Sequence, residues 1–117
     1  MCRDKKLFAE DIIEAIEAIF SHIQGYEFED FIADRKTYNA VIKEFEIIGE
    51  ATKHIKEDLK KLYPDIRWQD IVDFRNRISH EYFGVDFRII WNTIFYELPA
   101  LKKHIEKLRR YYEKKDG

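Results

Sequence analysis

Residues 34–62 read DRKTYNAVIKEFEIIGEATKHIKEDLKKL, and this stretch decides the fold. Its apolar side chains recur every three or four positions, which is the spacing of an α-helix with one apolar face. Two rows of positions seven apart form that face: Tyr38, Phe45, Thr52 and Leu59, and Val41, Ile48, Ile55 and Leu62. The pattern predicts a helix of about eight turns, whose apolar face must be covered by other helices.

A shorter helix is predicted on the N-terminal side, over residues 4–24. Asp4 is suited to its N-cap and Gly25 to its end. Residues 26–33 are predicted to form a short helical turn leading into the long helix. The apolar positions that indicate the first helix are Phe8, Ile12, Ile16, Ile19, Phe20 and Ile23.

Two more helices are predicted after Pro64, which ends the long one. The third spans residues 67–81 and is closed by Gly84. The fourth spans residues 87–113 after an N-cap at Asp86, and Pro99 interrupts it. Because proline removes a backbone donor, a kink or a new helical segment is expected there, and since the apolar pattern resumes in phase after Pro99, a kinked last helix is predicted. The sum is an all-α, antiparallel bundle of about four main helices in one domain, residues 1–117.

The composition fits this class and excludes several others. Four glycines and two prolines are too few for an all-β chain. Cys2 is the single cysteine, so no internal disulfide is available. With no signal-peptide pattern and no apolar run of about 18 residues, the chain is predicted to be cytoplasmic, without membrane association. The absence of spaced cysteine and histidine ligands predicts no metal and no cofactor.

Charge is distributed unevenly along the chain. Residues 1–34 hold nine acidic and three basic residues, whereas the remainder holds fourteen acidic and eighteen basic ones. Either the second part binds a polyanion or the bundle pairs complementary helices. The segment from Lys102 to Lys115 has seven basic residues against two glutamates. It is interpreted either as an RNA-phosphate contact or as a solvated helix face.

A polar cluster at the end of the third helix is harder to explain by folding. Arg75, Asn76, His80 and Tyr82 lie within eight positions, just before Gly84. Arg75 and His80 are five apart, which is about 140° around an ideal helix. Either the long arginine curves round, or a second copy of the helix in a two-fold dimer brings the groups together.

These residue types suit cleavage of an RNA phosphodiester without a metal. A histidine can accept a proton from the 2′-hydroxyl or donate one to the leaving oxygen. An arginine can neutralise charge that develops on the phosphate, and an asparagine can orient the phosphate or the imidazole. The other histidines, His22, His54 and His104, are assigned to solvated or partly packed positions.

The pattern Arg75-Asn76-…-His80-Glu81-Tyr82 resembles the R-x4-H-x-Y motif of HepT-type toxins, which belong to the HEPN group of helical proteins. The resemblance continues over nearly the whole chain, in the right order. The further matching segments are Phe31–Ala40, Ile48–Ala51, Trp68–Ile71, Tyr82–Asp86, Trp91 and Leu98-Pro99.

This resemblance implies a metal-independent endoribonuclease that is the toxin of a toxin–antitoxin pair. It implies a homodimer in which the two motifs meet in a cleft, with Arg75 and His80 as catalytic residues and Asn76 beside them. The implied antitoxin is a minimal nucleotidyltransferase that transfers AMP from ATP onto Tyr82.

Alternatives to this interpretation remain at the level of the sequence. Tyr82 falls on the core-facing arc of the predicted helix, where a tyrosine often simply packs. The chain as a whole is interpreted alternatively as a non-catalytic partner subunit of a nucleotidyltransferase complex, or as a helical dimerisation module.

Overall fold

The computed structural model describes residues 3–80 and 86–116, with the side chains of residues 75–80 and 116 outside that description. Within these ranges it contains six α-helices and no strand, which confirms the all-α prediction. The helices are α1 (Lys5–His22), α2 (Phe28–Ala33), α3 (Arg35–Leu62), α4 (Trp68–His80), α5 (Phe87–Tyr96) and α6 (Leu98–Asp116).

Aspartate caps account for where three helices begin, and two of them, Asp4 and Asp86, were predicted. Asp4, Asp34 and Asp86 precede α1, α3 and α5, and each side chain accepts a hydrogen bond from a backbone N–H of the first turn. Asp34 also accepts hydrogen bonds from the hydroxyls of Tyr26 and Thr37, at 2.6 and 2.8 Å. These bonds, Tyr26 first, lower the pKa of Asp34 and hold its carboxylate charged at the start of α3.

The chain turns between α1 and α2 at Gly25. Its φ of 78° lies in the left-handed region, where residues with a Cβ are strained. α1 ends at His22, and Gly25 lies in the turn that follows, where the Tyr26 N–H donates to the carbonyl of Ile23 at 2.9 Å.

The break in the predicted fourth helix falls at Glu97, between α5 and α6. Of the two alternatives at Pro99, a kink or a new segment, the structure has the new segment. Pro99 is the second residue of α6, where a backbone N–H lacks a partner within the helix, so a proline is tolerated. Both α5 and α6 still contribute to one core, because Ile94, Leu101 and Leu108 are all buried.

The core is centred on α3, which packs against α1 on one side and α4 on another. α6 packs on α1, α5 packs on α6, and the short α2 bridges α3 and α5. The predicted apolar face of α3 is buried from Val41 to Leu59, although Leu62 is exposed at the helix end. Thr52 lies in this face, and its hydroxyl donates to the carbonyl of Ile48 at 2.7 Å, which satisfies the buried oxygen.

One polar cluster joins three helices at the edge of this core. The Tyr112 hydroxyl on α6 donates to Asp58 Oδ2 on α3 at 2.7 Å, and Lys5 Nζ on α1 lies 3.1 Å from the same oxygen. Burial acts to raise the pKa of Asp58, but the bonds from Tyr112 and Lys5 outweigh it, and the net shift is downward. Burial and the bond to Asp58 raise the pKa of Tyr112.

This cluster should contribute measurably to stability. Tyr112→Phe removes a hydrogen bond to a charged acceptor and should lower the free energy of unfolding by about 1–2 kcal/mol at pH 7. The loss should be smaller in acid, where Asp58 gains a proton. Because the pKa of Asp58 is lower in the folded chain than in the unfolded chain, its charged carboxylate stabilises the fold above the unfolded-state pKa. This stabilisation is lost as the pH falls through the folded-state pKa. Urea unfolding of the wild type and the variant at pH 7 and in acid measures the loss under each condition. Tyr111→Phe, one residue away and exposed, is the matched control; an equal effect of the two substitutions would contradict the assignment.

Candidate functional site

The predicted catalytic residues lie in the last two turns of α4. The described part of this helix, Trp68–His80, contains Arg75, Asn76 and His80, so the structure places them on one continuous helix as the sequence predicted. Five residues of helix separate positions 75 and 80 by about 140° around the axis. Their side chains, and all of Tyr82, lie outside the described residues.

Contacts at its N-terminal half hold α4 against α3. Trp68 is 1% exposed, and its indole N–H donates to the carbonyl of Tyr63 at 3.1 Å. The Phe74 ring packs edge-on against Phe45 of α3, with centroids 5.3 Å apart. These contacts set the position and rotation of the helix up to the residue before Arg75, so the core fixes where the motif starts.

A second link lies on the solvent side of the same helix. Lys56 Nζ on α3 donates to Gln69 Oε1 at 2.6 Å, and Gln69 in turn donates to Asp73 Oδ1 at 3.1 Å. This chain of hydrogen bonds runs along α4 toward the motif. Since all three side chains are exposed or nearly so, it adds orientation more than stability.

Alongside α4 lies a groove of about 550 Å³ that the sequence did not predict. Its floor is Phe45 and Ile48 of α3, and its walls come from α4 on one side and from the α5–α6 junction on the other. The wall residues are Ile66, Arg67, Trp68, Asp70, Ile71, Phe74, Thr93, Glu97, Leu98, Ala100, Leu101 and His104. Most of this surface is apolar, and its described lining includes Phe74, the residue directly before the motif.

Three of the polar side chains in the groove have partners within the chain. Arg67 Nε lies 3.4 Å from Asp70 Oδ2, and the Thr93 hydroxyl donates to the carbonyl of Ile89 at 2.7 Å. His104 is different, because its Nδ1 is buried and has no hydrogen-bond partner. Its ring lies between Tyr63 and Trp68, with centroids at 4.2 and 6.2 Å.

The remaining histidines occupy the positions that the sequence predicted. His22 and His54 are exposed, and the His54 ring stacks on Phe8 at 4.2 Å. His104 is half-buried, as expected of a partly packed histidine. Only the tertiary contact across about forty residues places it beside Tyr63, so no local sequence signal could have identified that cluster.

The described residues contain neither a cluster of metal ligands nor a helix that could span a membrane. Among residues 3–80 and 86–116, no group of three or more histidine, cysteine, aspartate or glutamate side chains is arranged to hold a metal ion. Over the same ranges, no helix has the length and apolar character needed to cross a membrane.

Comparison with known proteins identifies the family to which the chain belongs. Residues 12–108 match the model of the family described as "Ribonuclease HepT-like". The chain belongs to the HepT-like ribonuclease family. The resemblance inferred from the motif and its flanking segments is thereby confirmed.

Individual relatives agree over nearly the full length. A Thermococcus cleftensis protein named "Probable ribonuclease HepT" is 47% identical over 94% of this chain and all of its own length. A Methanocaldococcus jannaschii protein named "Putative RNase MJ1216" is 39% identical over 97% of this chain and 94% of its own. No solved structure gives a significant match. The prediction of a ribonuclease of the HepT-like family is therefore confirmed.

His104 should make the stability of this HepT-like protein depend on pH. Burial, followed by the charge of Lys107, lowers the pKa of His104 below its usual 6.5. Below pH 6.5, His104 therefore binds a proton more readily in the unfolded chain than in the folded chain. The contribution of neutral His104 to the free energy of unfolding is present above pH 6.5 and is lost as the pH falls below it. His104→Phe should reduce the fall in Tm between pH 7.5 and 5.5. His104→Gln, which also lacks the titrating proton, should do the same. An unchanged fall in both variants would contradict the assignment.

Proposed function

We propose that this protein is a metal-independent endoribonuclease whose active site is a cleft between two copies of the chain. His80 and Arg75 are the catalytic residues, and Asn76 orients the phosphate or the imidazole. The observation that carries the proposal is the family match across residues 12–108, which includes an intact Arg75–His80 motif at the end of α4.

The chemistry follows from the residue types. A base removes the proton of the 2′-hydroxyl, the 2′-oxygen forms a bond to phosphorus, and the bond from phosphorus to the 5′-oxygen breaks. The leaving oxygen takes a proton, so one imidazole can serve as base or acid. Arg75 stabilises the charge that accumulates on the phosphate oxygens. The products are a 2′,3′-cyclic phosphate and a 5′-hydroxyl.

Helix geometry supports a site shared between chains. Positions 75 and 80 point about 140° apart on α4, so a straight helix does not bring both groups to one phosphate. A two-fold axis beside α4 places Arg75 of one chain near His80 of the other. The apolar groove along α4, whose described lining includes Phe74, supports pairing on this side of the molecule.

The proposed biological role is that of a toxin paired with a nucleotidyltransferase antitoxin. The Tyr82 phenol oxygen attacks the α-phosphate of ATP, pyrophosphate leaves, the phenolic proton is released and an AMP ester remains. This bulky anion beside the cleft excludes RNA by steric hindrance and by repulsion of its phosphates. The motif pattern and the family membership support this part of the proposal.

RNA cleavage by the purified protein tests the catalytic assignment. The wild type should cleave single-stranded RNA in EDTA, and His80→Ala and Arg75→Ala should each be slower by about 100-fold or more. A substrate with 2′-deoxyribose at the cleaved position should resist, because the nucleophile is missing.

The matched controls are His22→Ala and Arg35→Ala, which alter exposed residues of the same types away from the groove. Both should cleave at the wild-type rate. If folded His80→Ala protein, verified by circular dichroism, were as active as the wild type, the assignment would be wrong.

Mass mapping tests the acceptor. After incubation with the nucleotidyltransferase and ATP, the peptide containing Tyr82 should gain AMP, and Tyr82→Phe should abolish that gain. Tyr96→Phe is the control, since Tyr96 is 79% exposed, more than any other described tyrosine. AMP on Tyr96 in place of Tyr82 would show that exposure alone selects the acceptor and would overturn the assignment.

A further inference from the structure

The outward side of α6 carries a row of basic side chains: Lys103, Lys107, Arg110 and Lys114. All four are exposed. Their spacing of four, three and four residues keeps them within about 60° around the helix axis and distributes them over roughly 16 Å along it. We call these four residues the basic row.

The charges of the basic row are not neutralised within the described part of the chain. None of the four side chains forms an ion pair with a described carboxylate. The basic residues on the outer side of α3 provide a contrast. Lys43 lies 3.9 Å from Glu46, and Lys60 lies 3.8 Å from Glu57. Each of these two lysines pairs with a carboxylate one turn away, whereas the row has Glu106 and Glu113 on the same helix but no ion pair of 4 Å or less with a described carboxylate.

An aromatic ring lies next to the row. Tyr111 is 45% exposed, and Lys115 Nζ lies 5.9 Å from its ring centroid. An exposed ring beside unpaired cations is the combination that binds single-stranded nucleic acid, because bases stack on the ring and phosphates pair with the cations.

The opposite side of α6 is committed to the core. Leu101, Ile105, Leu108 and Tyr112 are at most 7% exposed. A helix that binds a membrane surface buries its apolar face in the lipid boundary, and here that face is already covered. The basic row therefore fits a soluble polyanion better than a lipid surface.

We propose that the basic row is a binding surface for the phosphate backbone of single-stranded RNA, with Tyr111 as a stacking platform for a base. The row holds substrate by charge outside the motif on α4. This inference rests on the proposed ribonuclease function for the identity of the polyanion, and its test separates the two.

Binding is measured in a His80→Ala background, so that the RNA probe is not consumed. The test variant carries Lys107→Gln and Arg110→Gln, and the matched control carries Lys43→Gln and Lys60→Gln, which remove the same net charge. Fluorescence anisotropy of a labelled, mixed-sequence single-stranded RNA is recorded from 50 to 300 mM salt, after circular dichroism and Tm confirm that each variant is folded.

The test variant should bind on the order of tenfold more weakly than its parent at 0.1 M salt, and its slope of log K against log salt should be smaller by about 1.4, since each single-strand phosphate contact contributes about 0.7. The control should keep the parental slope and affinity. Tyr111→Ala should weaken binding with little change in slope, because stacking releases no counterion.

Four results decide between the inference and its alternatives. Equal slopes and affinities for test and control variants would overturn it. It would also be overturned if the test variant kept its RNA affinity but lost binding to phosphatidylcholine vesicles containing phosphatidylserine, since the row would then be a lipid surface. If RNA binding depends on the basic row but wild-type protein never cleaves RNA, the inference stands and the nuclease proposal fails. If wild-type protein cleaves RNA but binding does not depend on the basic row, the nuclease proposal stands and the inference fails.

Discussion

The packing of α3 between α1 and α4 is the constraint on which the other features depend. Its face from Val41 to Leu59 is buried throughout, so the helix cannot rotate without exposing apolar surface. Phe45 on that face fixes Phe74, and Phe74 is the residue before Arg75. The position of the motif is therefore a consequence of core packing, because the chemistry proposed for it lies on a helix whose N-terminal half is anchored in the core.

The same packing leaves two surfaces with different character. Beside α4 there is an apolar groove, on which we propose that a second chain pairs. On α6 the outward side is a row of cations without described acidic partners. We propose a separate role for each surface, since an apolar surface suits assembly of two chains and a charged surface suits binding of a polyanionic substrate.

Much of this fold was predictable because local signals agree with tertiary packing. Heptad spacing in α3, the aspartate caps and Gly25 each depend on nearby residues only. The break at Glu97 was less predictable, because proline is compatible with either a kink or a helix start. The groove and the Tyr63–His104 contact depend on segments about forty residues apart, which no local pattern specifies. The roles of Arg75, His80 and Tyr82 came from the motif and its resemblance, and helix geometry contributed the argument for two chains.

Combining two inactive variants in a single dimer tests directly whether the active site is shared between two chains. Arg75→Ala and His80→Ala chains carrying different tags are co-expressed, and the heterodimer is purified through both tags. If Arg75 of one chain works with His80 of the other, one of the two shared sites is intact, and RNA cleavage should return to about half of the wild-type rate. A heterodimer no more active than either variant homodimer would contradict a shared site, because it would show that both residues must come from the same chain.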